Sequence, residues 1–213
     1  MNERIAQVKK ALEANNRAVY YVDTKDQVVD QVRQLLRDGQ SVAVGGSNTL
    51  TVTGVLDHLR CGRYRFYDRH EPGMTPRQIR RVFLQSLTVD TYLCSANAVT
   101  LNGELYNVDG NSNRLAAICY GPESVIMVVG VNKIVDDLDQ AMRRVKTTAA
   151  PPNARRQNLA TPCAKTGVCI GVDGCMTDGC RGSSRMCCNY LISAKQRIPG
   201  RIKVILVGEP VGF

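Results

Sequence analysis

The stretch SVAVGGSNTL, residues 41–50, decides the fold of this chain. Its first four residues predict a buried strand, which runs directly into a turn formed by Gly45 and Gly46. A helix is predicted next, because apolar residues then recur at helical spacing. The order is therefore strand, glycine turn, helix. The apolar residues that follow the turn are Val55, Leu56 and Leu59.

The same alternation of strand and helix continues along the chain. Residues 124–129 are almost entirely apolar, which is typical of a strand in a parallel sheet covered on both faces. The sequence therefore predicts an α/β fold, with a mainly parallel sheet and helices on both faces. The remaining predicted strands cover residues 17–22, 64–67, 91–95 and 202–207, and the predicted helices cover residues 2–15, 24–39, a segment after Thr75-Pro76, and 138–145.

Two local signals refine this outline. Asn102-Gly103, within the alternating segment VTLNGELYNV, predicts a β-hairpin, because this dipeptide suits the tight turns that join antiparallel strands. Pro151 and Pro152 predict a break in the chain before the cysteine-rich segment, since proline lacks the N–H group that continues a helix.

Cysteines are concentrated near the C-terminus, where six of the nine lie between Cys163 and Cys188. Thiolates gathered in this way suit a tetrahedral zinc ion or an iron–sulfur cluster. No pair has the CxxC spacing of zinc ribbons or bacterial ferredoxins, and unconnected thiols or a disulfide-stapled loop are the alternatives. The six are Cys163, Cys169, Cys175, Cys180, Cys187 and Cys188.

The length of the chain and its N-terminal sequence limit the possible domain organisation and location. At 213 residues the chain suits one domain with a substantial core, so residues 1–213 are interpreted as a single domain with a cysteine-rich loop at 161–190. The start, MNERIAQVKK, lacks the apolar core of a signal peptide, and no apolar run approaches the roughly 18 residues of a membrane span. We therefore expect a cytoplasmic protein, whose thiols stay reduced, which favours a metal over disulfides.

Positive charge is concentrated around the cysteines. The chain carries 28 lysines and arginines against 19 acidic residues, a formal charge of +9, and residues 150–203 hold nine basic and two acidic ones, 9 − 2 = +7. Such an excess offsets thiolate charge and favours an acidic redox partner. Nucleic acid is the competing interpretation. Aromatic residues make up only 5% of the chain, and no helix-turn-helix, zinc-finger or RNA-platform pattern is present, which disfavours it.

Four polar turns follow predicted strands, and ligands of parallel sheets bind at such strand ends. The glycines of the first turn would let backbone N–H groups approach an anion, and a base is available in a later turn as Asp109. The alternative is that these residues only form turns and cap helices. The candidate ligand-binding residues are Gly45, Gly46, Ser47, Thr49, Asn97, Asn113, Arg114, Asn132 and Lys133, with Asp109 as the candidate catalytic residue.

The remaining reactive side chains are interpreted as structural. His58 and His70 are expected at the surface and outside the four turns. Cys61, Cys94 and Cys119 lie in ordinary elements, so they are expected as buried packing residues.

These segments, taken together, resemble the LUD-domain family, the lactate-utilisation domain of bacteria, and in particular its cysteine-bearing subgroup. The resemblance keeps one order from about residue 41 to the C-terminus. The matching segments are GGSNTL (45–50), SANAVTLNGELYNVDGNSNRLAAICYGP (95–122), VVGVNKIVDDLDQAMRRVKTTAAPPNARR (128–156), TPCAKTGVC (161–169), CCN (187–189) and RIKVILVGEPVGF (201–213).

The resemblance implies a sheet similar to those of ribose-phosphate isomerase, glucosamine-phosphate deaminase and coenzyme A transferases. It also implies a role near the oxidation of lactate to pyruvate and, for members with the TPCxxTGxC pattern, a bound metal or cluster. Cys163, Cys169 and Cys188 match that pattern. The third family cysteine falls nearest Cys175, with Cys180 as its rival, and Cys187 competes for the fourth place.

The leading hypothesis is an LUD-domain protein of organic-acid, and specifically lactate, utilisation. It would bind a 4Fe-4S iron–sulfur cluster at Cys163, Cys169, Cys175 and Cys188, or zinc as the alternative, and a small anionic metabolite at the four turns. One rival is an isomerase or transferase acting on a phosphosugar or acyl thioester, with a structural zinc and Asp109 or Glu104 as base. Another is a non-catalytic subunit that docks a redox partner. Whether the protein is an enzyme stays open at this stage.

Overall fold

The repeated order of strand, turn and helix builds a parallel sheet in the computed structural model, which describes residues 2–213. In chain order the strands are β1 (Ala18–Val22), β2 (Ser41–Val44), β3 (Arg65–Tyr67), β4 (Thr91–Cys94), β5 (Ala98–Thr100), β6 (Leu105–Asp109), β7 (Ser124–Gly130), β8 (Ile134–Val135), β9 (Asn189–Ser193) and β10 (Ile202–Val207). Six of them form the central sheet in the order β1-β10-β7-β4-β2-β3. All of its neighbouring pairs are parallel, which confirms the predicted fold class.

Helices cover both faces of this sheet, as predicted. They are α1 (Glu3–Ala14), α2 (Val28–Leu35), α3 (Asn48–Val52), α4 (Val55–Leu59), α5 (Pro76–Gln85), α6 (Asn113–Cys119), α7 (Leu138–Arg144), α8 (Ala150–Arg156) and α9 (Pro162–Thr166). On one face, α1 and α6 pack against the sheet, and on the other face α2, α3 and α4 do so.

Strand β7 shows why its sequence is apolar throughout. Val125, Met127 and Val129 point into the core that contains α1 and α6, whereas Ile126 and Val128 point into the core that contains α2 to α4. All five side chains are fully buried. Burying a side chain of this size contributes about 1.5–3 kcal/mol, so a strand buried on both faces makes a large contribution to the stability of the sheet.

A second, four-stranded sheet in the order β8-β5-β6-β9 packs beside the first. Strands β5 and β6 form the predicted hairpin, in antiparallel register with Ala98 opposite Tyr106. Gly103 is required at its turn for two reasons. Its φ of +81° lies in the left-handed region, and a Cβ atom there would lie 2.8 Å from the carbonyl carbon of Ala11 in α1.

The predicted break at Pro151 and Pro152 is wrong, because the helical path continues from α7 into α8 through a π-helical turn, Val145–Ala149. Both prolines lie in the first turn of α8, where a missing N–H group leaves little unsatisfied. The backbone carbonyl of Lys146, in the π turn, instead accepts a hydrogen bond of 2.9 Å from the N–H group of Cys169. This hydrogen bond attaches the cysteine-rich loop to the helix, one turn before the two prolines.

Two further boundaries differ from prediction. Helix α2 ends at Leu35 rather than near Gly39, because Leu36 adopts an extended conformation and is buried against the sheet. Strand β9 was not predicted at all. It pairs with β6 alone, and its side chains are half-buried or exposed, so it lacks the apolar pattern of a central strand.

Over residues 2–213 no helix combines the length and the apolar character that crossing a membrane requires.

Candidate functional site

The predicted polar turns meet at the carboxyl edge of the central sheet. β7, β4 and β2 are neighbours in that sheet, so the turns after them lie side by side, and β6 brings the segment after it to the same place. Together they line a cleft of about 460 Å³, which we call the strand-end cleft. The predicted residues that line it are Gly46, Ser47, Thr49, Asn97, Asp109, Asn113, Arg114 and Lys133.

Two predicted binding residues, Gly45 and Asn132, lie next to the cleft without lining it. A Cβ atom on Gly45 would lie 3.0 Å from Cδ of Arg114, so this glycine makes room for the arginine side chain. Asn132 holds the C-terminal segment, since its Nδ2 donates to the carbonyl of Gly212 at 3.0 Å and its Oδ1 accepts from the N–H group of Val211 at 3.2 Å. Both shape the cleft, and their contact with a ligand stays a prediction.

Arg114 braces the floor of the cleft through a dense set of hydrogen bonds. It donates to Oδ1 of Asp109 from Nε at 2.9 Å and from Nη2 at 2.7 Å. Burial opposes its charge, but Asp109 outweighs that effect and raises the pKa of Arg114. The other acceptors of its guanidinium are the carbonyls of Ser95 and Val108 and the side-chain oxygens of Asn97 and Asn107.

Asp109, the candidate base, is therefore committed to an ion pair with Arg114 in which both side chains are largely buried. The alternative base, Glu104, lies at the hairpin turn, where its carboxylate accepts a hydrogen bond from the hydroxyl of Thr100. Glu104 does not line the strand-end cleft. Of the two carboxylates, only Asp109 lies where it can reach a ligand, and its role as a base stays a prediction.

Lys133 is the most unusual side chain of the cleft. It is 2% exposed, and its Nζ donates to Oγ1 of Thr49 at 2.7 Å and to Oγ of Ser95 at 3.0 Å. Within residues 2–213 no carboxylate lies within 4.0 Å of it. Burial, followed by the charges of Arg144 and Arg114, lowers the pKa of Lys133 to about 7.

Ser47 and Asn97 also have structural partners. Ser47 caps α3 by accepting a hydrogen bond of 3.4 Å from the N–H group of Leu50. Asn97 uses its Oδ1 to accept from the N–H group of Val108 at 2.9 Å, in addition to its bond from Arg114. These side chains therefore have a structural role whether or not they also contact a ligand.

Arg69, which sequence analysis missed, reaches the cleft from the segment after β3. Its guanidinium lies 5.4 Å from the ring centre of Phe83, and its Nε donates to Nε2 of His70 at 3.3 Å. A Cβ atom on Gly46 would lie 2.4 Å from Nη2 of Arg69, so a larger residue there would displace the end of the arginine side chain. The signal was present in the sequence, because this segment follows a strand as the four turns do. His70 is exposed, as expected, but it lines the cleft.

The cleft carries a strong excess of positive charge. Five basic side chains line it against one acidic side chain, Asp109, which is already paired. An enclosed surface with one sign of charge attracts and retains ligands of the opposite sign. The cleft is therefore suited to a small anion. Its cations are Arg69, Arg114, Lys133, Arg156 and Arg185.

Four cysteines of the C-terminal loop line one small cavity, which we call the thiol cavity. Its volume is about 30 Å³, and methionine and tyrosine residues also line it. Burial, followed by the neighbouring thiols of Cys169, Cys163 and Cys180, raises the pKa of Cys187 to about 12. The four are Cys163, Cys169, Cys180 and Cys187.

The predicted ligands Cys175 and Cys188 lie outside this cavity, and both are exposed. The thiol of Cys188 donates to the carbonyl of Arg185 at 3.2 Å, and the N–H group of Cys175 donates to Asp178 at 2.8 Å. Their role as metal ligands stays a prediction. Cys94 is buried as expected, whereas Cys61 and Cys119 are exposed, so the expectation of buried packing was wrong for these two.

The donor chemistry of the thiol cavity fits a thiolate-bound metal, because four thiols face one space. Within residues 2–213, however, no group of three or more histidine, cysteine or acidic side chains is close enough to hold an ion in this conformation. The volume of about 30 Å³ is about that of one water molecule. A cluster would therefore require the loop to open around it.

Two cations, the buried Lys146 and the half-buried Arg185, shape the loop around these thiols. Nζ of Lys146 donates to the carbonyls of Gly171 and Cys175, both at 2.6 Å. Arg185 donates to the carbonyls of Thr177 at 2.6 Å, Cys180 at 3.0 Å and Cys187 at 2.8 Å. Because these contacts are made to the backbone, they fix the path of the loop while leaving the thiol groups unbound.

The strand-end cleft and the thiol cavity adjoin each other. Arg185 and Met186 line both, and the N–H group of Cys188 donates to the carbonyl of Asp109 at 3.0 Å. The side chain of Asn189 adds a bond of 3.1 Å to the carbonyl of Gly110. A ligand in the cleft would therefore lie one side chain away from the thiols.

Fold and site together define an α/β protein with a basic cleft at the carboxyl edge of a parallel sheet and a thiol cavity beside it. The model of the LUD domain matches residues 5–207. The chain therefore belongs to the LUD-domain family.

Two solved structures are similar to this chain. A DUF162 family protein from Deinococcus radiodurans aligns with a TM-score of 0.53 and 15% identity over 96% of each chain, which supports the fold alone. eIF2B beta from Chaetomium thermophilum aligns with a TM-score of 0.37 and 16% identity over 53% of this chain and 43% of its own, too little to support an argument. No curated protein sequence matches the chain.

Proposed function

We propose that this LUD-domain protein acts in organic-acid utilisation by binding a small anionic metabolite, with lactate and pyruvate as the first candidates, in the strand-end cleft. The observation that supports this most strongly is the charge of the cleft, where five basic side chains face a single acidic side chain that is already paired. Arg69 and Lys133 have no acidic partner within 4.0 Å among residues 2–213, so an anionic ligand would supply the missing countercharge.

Different residues of the cleft would contact different parts of such a ligand. Arg69 presents a planar guanidinium that can hold a carboxylate through two hydrogen bonds. Lys133, together with the hydroxyls of Thr49 and Ser95, also lines the cleft and can hydrogen-bond the oxygen of a hydroxyl or carbonyl group. Arg114 and Asp109 hold the floor in place.

The proposal includes an iron–sulfur cluster in the cysteine loop, with a 4Fe-4S cluster as the leading form. Cys163, Cys169, Cys180 and Cys187 would hold it, since these thiols already face one cavity. When bound, such a cluster supplies one-electron transfer. The seven net positive charges of residues 150–203 would favour an acidic redox partner, and we place the protein in the cytoplasm, where thiols remain reduced.

A structural zinc is the alternative, and the small volume of the thiol cavity favours it, because one ion needs less room than a cluster. The accompanying function would then be isomerase or transferase chemistry on a phosphosugar or acyl thioester. Metal and sulfide analysis after purification without oxygen separates the two. Iron with equimolar sulfide supports the cluster, and one zinc per chain without sulfide supports the alternative.

Thermal unfolding in the presence of anions tests the cleft. Lactate, pyruvate, phosphate, sugar phosphates and coenzyme A would be added in turn, and a ligand at a hundredfold excess over Kd adds about 2.7 kcal/mol to the free energy of unfolding. Gly46→Val should abolish the shift, because its side chain displaces Arg69.

Gly182→Val is the matched control, since a Cβ atom there meets nothing within 4 Å. This variant should respond to the ligand as the wild type does. Absence of a shift with every anion, in a folded wild-type protein, would contradict the proposed function.

A further inference from the structure

Attraction of an anionic ligand does not by itself explain why Lys133 is buried. Its Nζ is buried at the carboxyl end of β7, and among residues 2–213 its hydrogen-bond partners are the hydroxyls of Thr49 and Ser95. Burying an ammonium group without a carboxylate is costly, and lysines in such places tend to lose their proton. The cleft already has arginines to attract an anion, so a buried lysine adds something that arginine cannot supply.

The charged and titratable groups around Lys133 change its pKa. Arg144 faces it from α7 and Arg114 faces it from α6, and both favour the neutral amine, whereas Cys94 from β4 acts in the opposite sense. Arg144 itself is buried and donates to the carbonyls of Asn132 at 3.0 Å and Asn97 at 2.7 Å. With its pKa lowered to about 7, Lys133 can carry a neutral amine near neutral pH, whereas an exposed lysine is almost fully protonated there.

A neutral amine in a cationic cleft has a defined chemical use. The lone pair of nitrogen attacks carbonyl carbon, and lysines with lowered pKa form covalent imines with carbonyl substrates. The surrounding arginines select for an anion, so the ligand should carry a carboxylate together with a ketone or aldehyde. A 2-oxo acid has both groups on adjacent carbon atoms.

We propose that Nζ of Lys133 condenses with the carbonyl carbon of a 2-oxo acid bound in the strand-end cleft and forms an imine. This inference rests on the proposed function, because it requires an organic acid in the same cleft. It adds the substrate class, an oxidised acid rather than a hydroxy acid, since an alcohol carbon cannot condense with an amine.

The condensation balances without an oxidant or reductant. The lone pair of Nζ attacks the carbonyl carbon, and a carbon–nitrogen bond forms. The carbonyl oxygen then leaves as water with the two protons of the amine. One further proton from solvent converts the imine to an iminium ion. The hydroxyls of Thr49 and Ser95, which contact Nζ, lie where they can hydrogen-bond the departing oxygen.

Reductive trapping tests the inference on the intact chain. The protein is incubated with pyruvate and sodium cyanoborohydride at neutral pH, digested, and examined by mass spectrometry for the reduced adduct. We expect the adduct on Lys133, with labelling at least tenfold above that of any other lysine. Labelling should fall as the pH is lowered below about 7, because the protonated amine has no lone pair.

Three variants serve as controls. Lys133→Arg keeps the charge but cannot form an imine, so it should bind pyruvate, as a thermal shift shows, and yield no adduct at that position. Lys133→Met should also yield none. Lys203→Met removes another partly buried lysine, whose Nζ contacts Ser124 in the next strand of the central sheet, and should leave labelling of Lys133 unchanged.

The outcomes distinguish the two proposals. A thermal shift with pyruvate in the wild type, without an adduct on Lys133, would overturn the imine and leave the anion cleft intact. Neither a shift nor an adduct would overturn both. Equal labelling of many lysines at neutral pH would also overturn the inference, because it would mean that Lys133 has no special reactivity.

Discussion

The strand-end cleft and the thiol cavity adjoin each other, yet the chain builds them by different means. The cleft lies on strands buried on both faces, and its floor is fixed by the hydrogen bonds of Arg114. The loop from Gly167 to Cys188 contains no helix or strand. Hydrogen bonds from Lys146 and Arg185 to its backbone carbonyls hold it in place. The cleft is therefore held by the central sheet and by side-chain hydrogen bonds, whereas the thiol cavity is held by contacts to the backbone of a loop.

The largest effect is expected in the thiol cavity, where substitutions distinguish two sets of ligands. Cys180→Ser and Cys187→Ser should each remove most of the bound metal, because these thiols line the cavity. Cys175→Ser and Cys188→Ser test the ligand set implied by family resemblance. Metal and sulfide content per chain is the measurement.

An exposed cysteine outside the loop, Cys61, provides the control, and Cys61→Ser should retain the metal. If the Cys175 and Cys188 variants lose the metal while the Cys180 and Cys187 variants keep it, the thiol cavity is not the binding site.

The second effect concerns the floor of the cleft. Arg114→Met removes a buried cation and leaves Asp109 without its partner, so we expect a loss of about 3–5 kcal/mol in the free energy of unfolding. Arg33→Met, which removes an exposed partner of Asp30, should cost about 0.5 kcal/mol or less. Urea denaturation of both variants is the measurement. Similar losses in the two would mean that the floor of the cleft is not rigidly held.

The third effect is the pH dependence that Lys133 imposes on stability. Its pKa is lowered from 10.5 in the unfolded chain to about 7 in the folded one, so between these values the unfolded state binds more protons. Stability should therefore rise with pH across that window, by at most about 1.4 kcal/mol per pH unit. Lys133→Met should lack this rise. Parallel pH profiles in the two proteins would contradict the lowered pKa.

The smallest effect is expected from releasing the loop. Lys146→Met removes the cation that holds the carbonyls of Gly171 and Cys175, so amide hydrogen exchange across residues 169–176 should accelerate about tenfold, or about 1.4 kcal/mol of local stability. Ligand affinity in the cleft should stay within about twofold, since the cleft is held by other contacts. A loss of cleft binding would show that the two regions are not built independently.

The same contrast explains what sequence could predict. Strand β7 and the turn after β2 were predictable, because an apolar strand followed by small polar residues has few other structural solutions. The π turn before Pro151 was not, because proline inside a helical pattern usually ends or kinks the helix. Arg156 and Arg185 reach the cleft from distant segments, and no local pattern brings them together.

The thiols illustrate the limit most clearly. Their number and residue types were evident, but which four face one cavity depends on the path of a loop stabilised by Lys146 and Arg185, and spacing along the chain does not encode that path. Arg69 differs from these cases, since its position after β3 follows from the same strand-end rule that identified the other turns.

Calorimetric titration of the wild type and Arg69→Met with pyruvate, lactate and phosphate tests the central claim, that the strand-end cleft binds a small anion. We expect one site per chain in the wild type and affinity at least tenfold weaker in the variant, a loss of about 1.4 kcal/mol. Arg63→Met, which removes an exposed arginine before β3 that does not line the cleft, should bind as the wild type does. Equal affinity in the wild type and Arg69→Met, or no binding of any anion by the wild type, would contradict the claim.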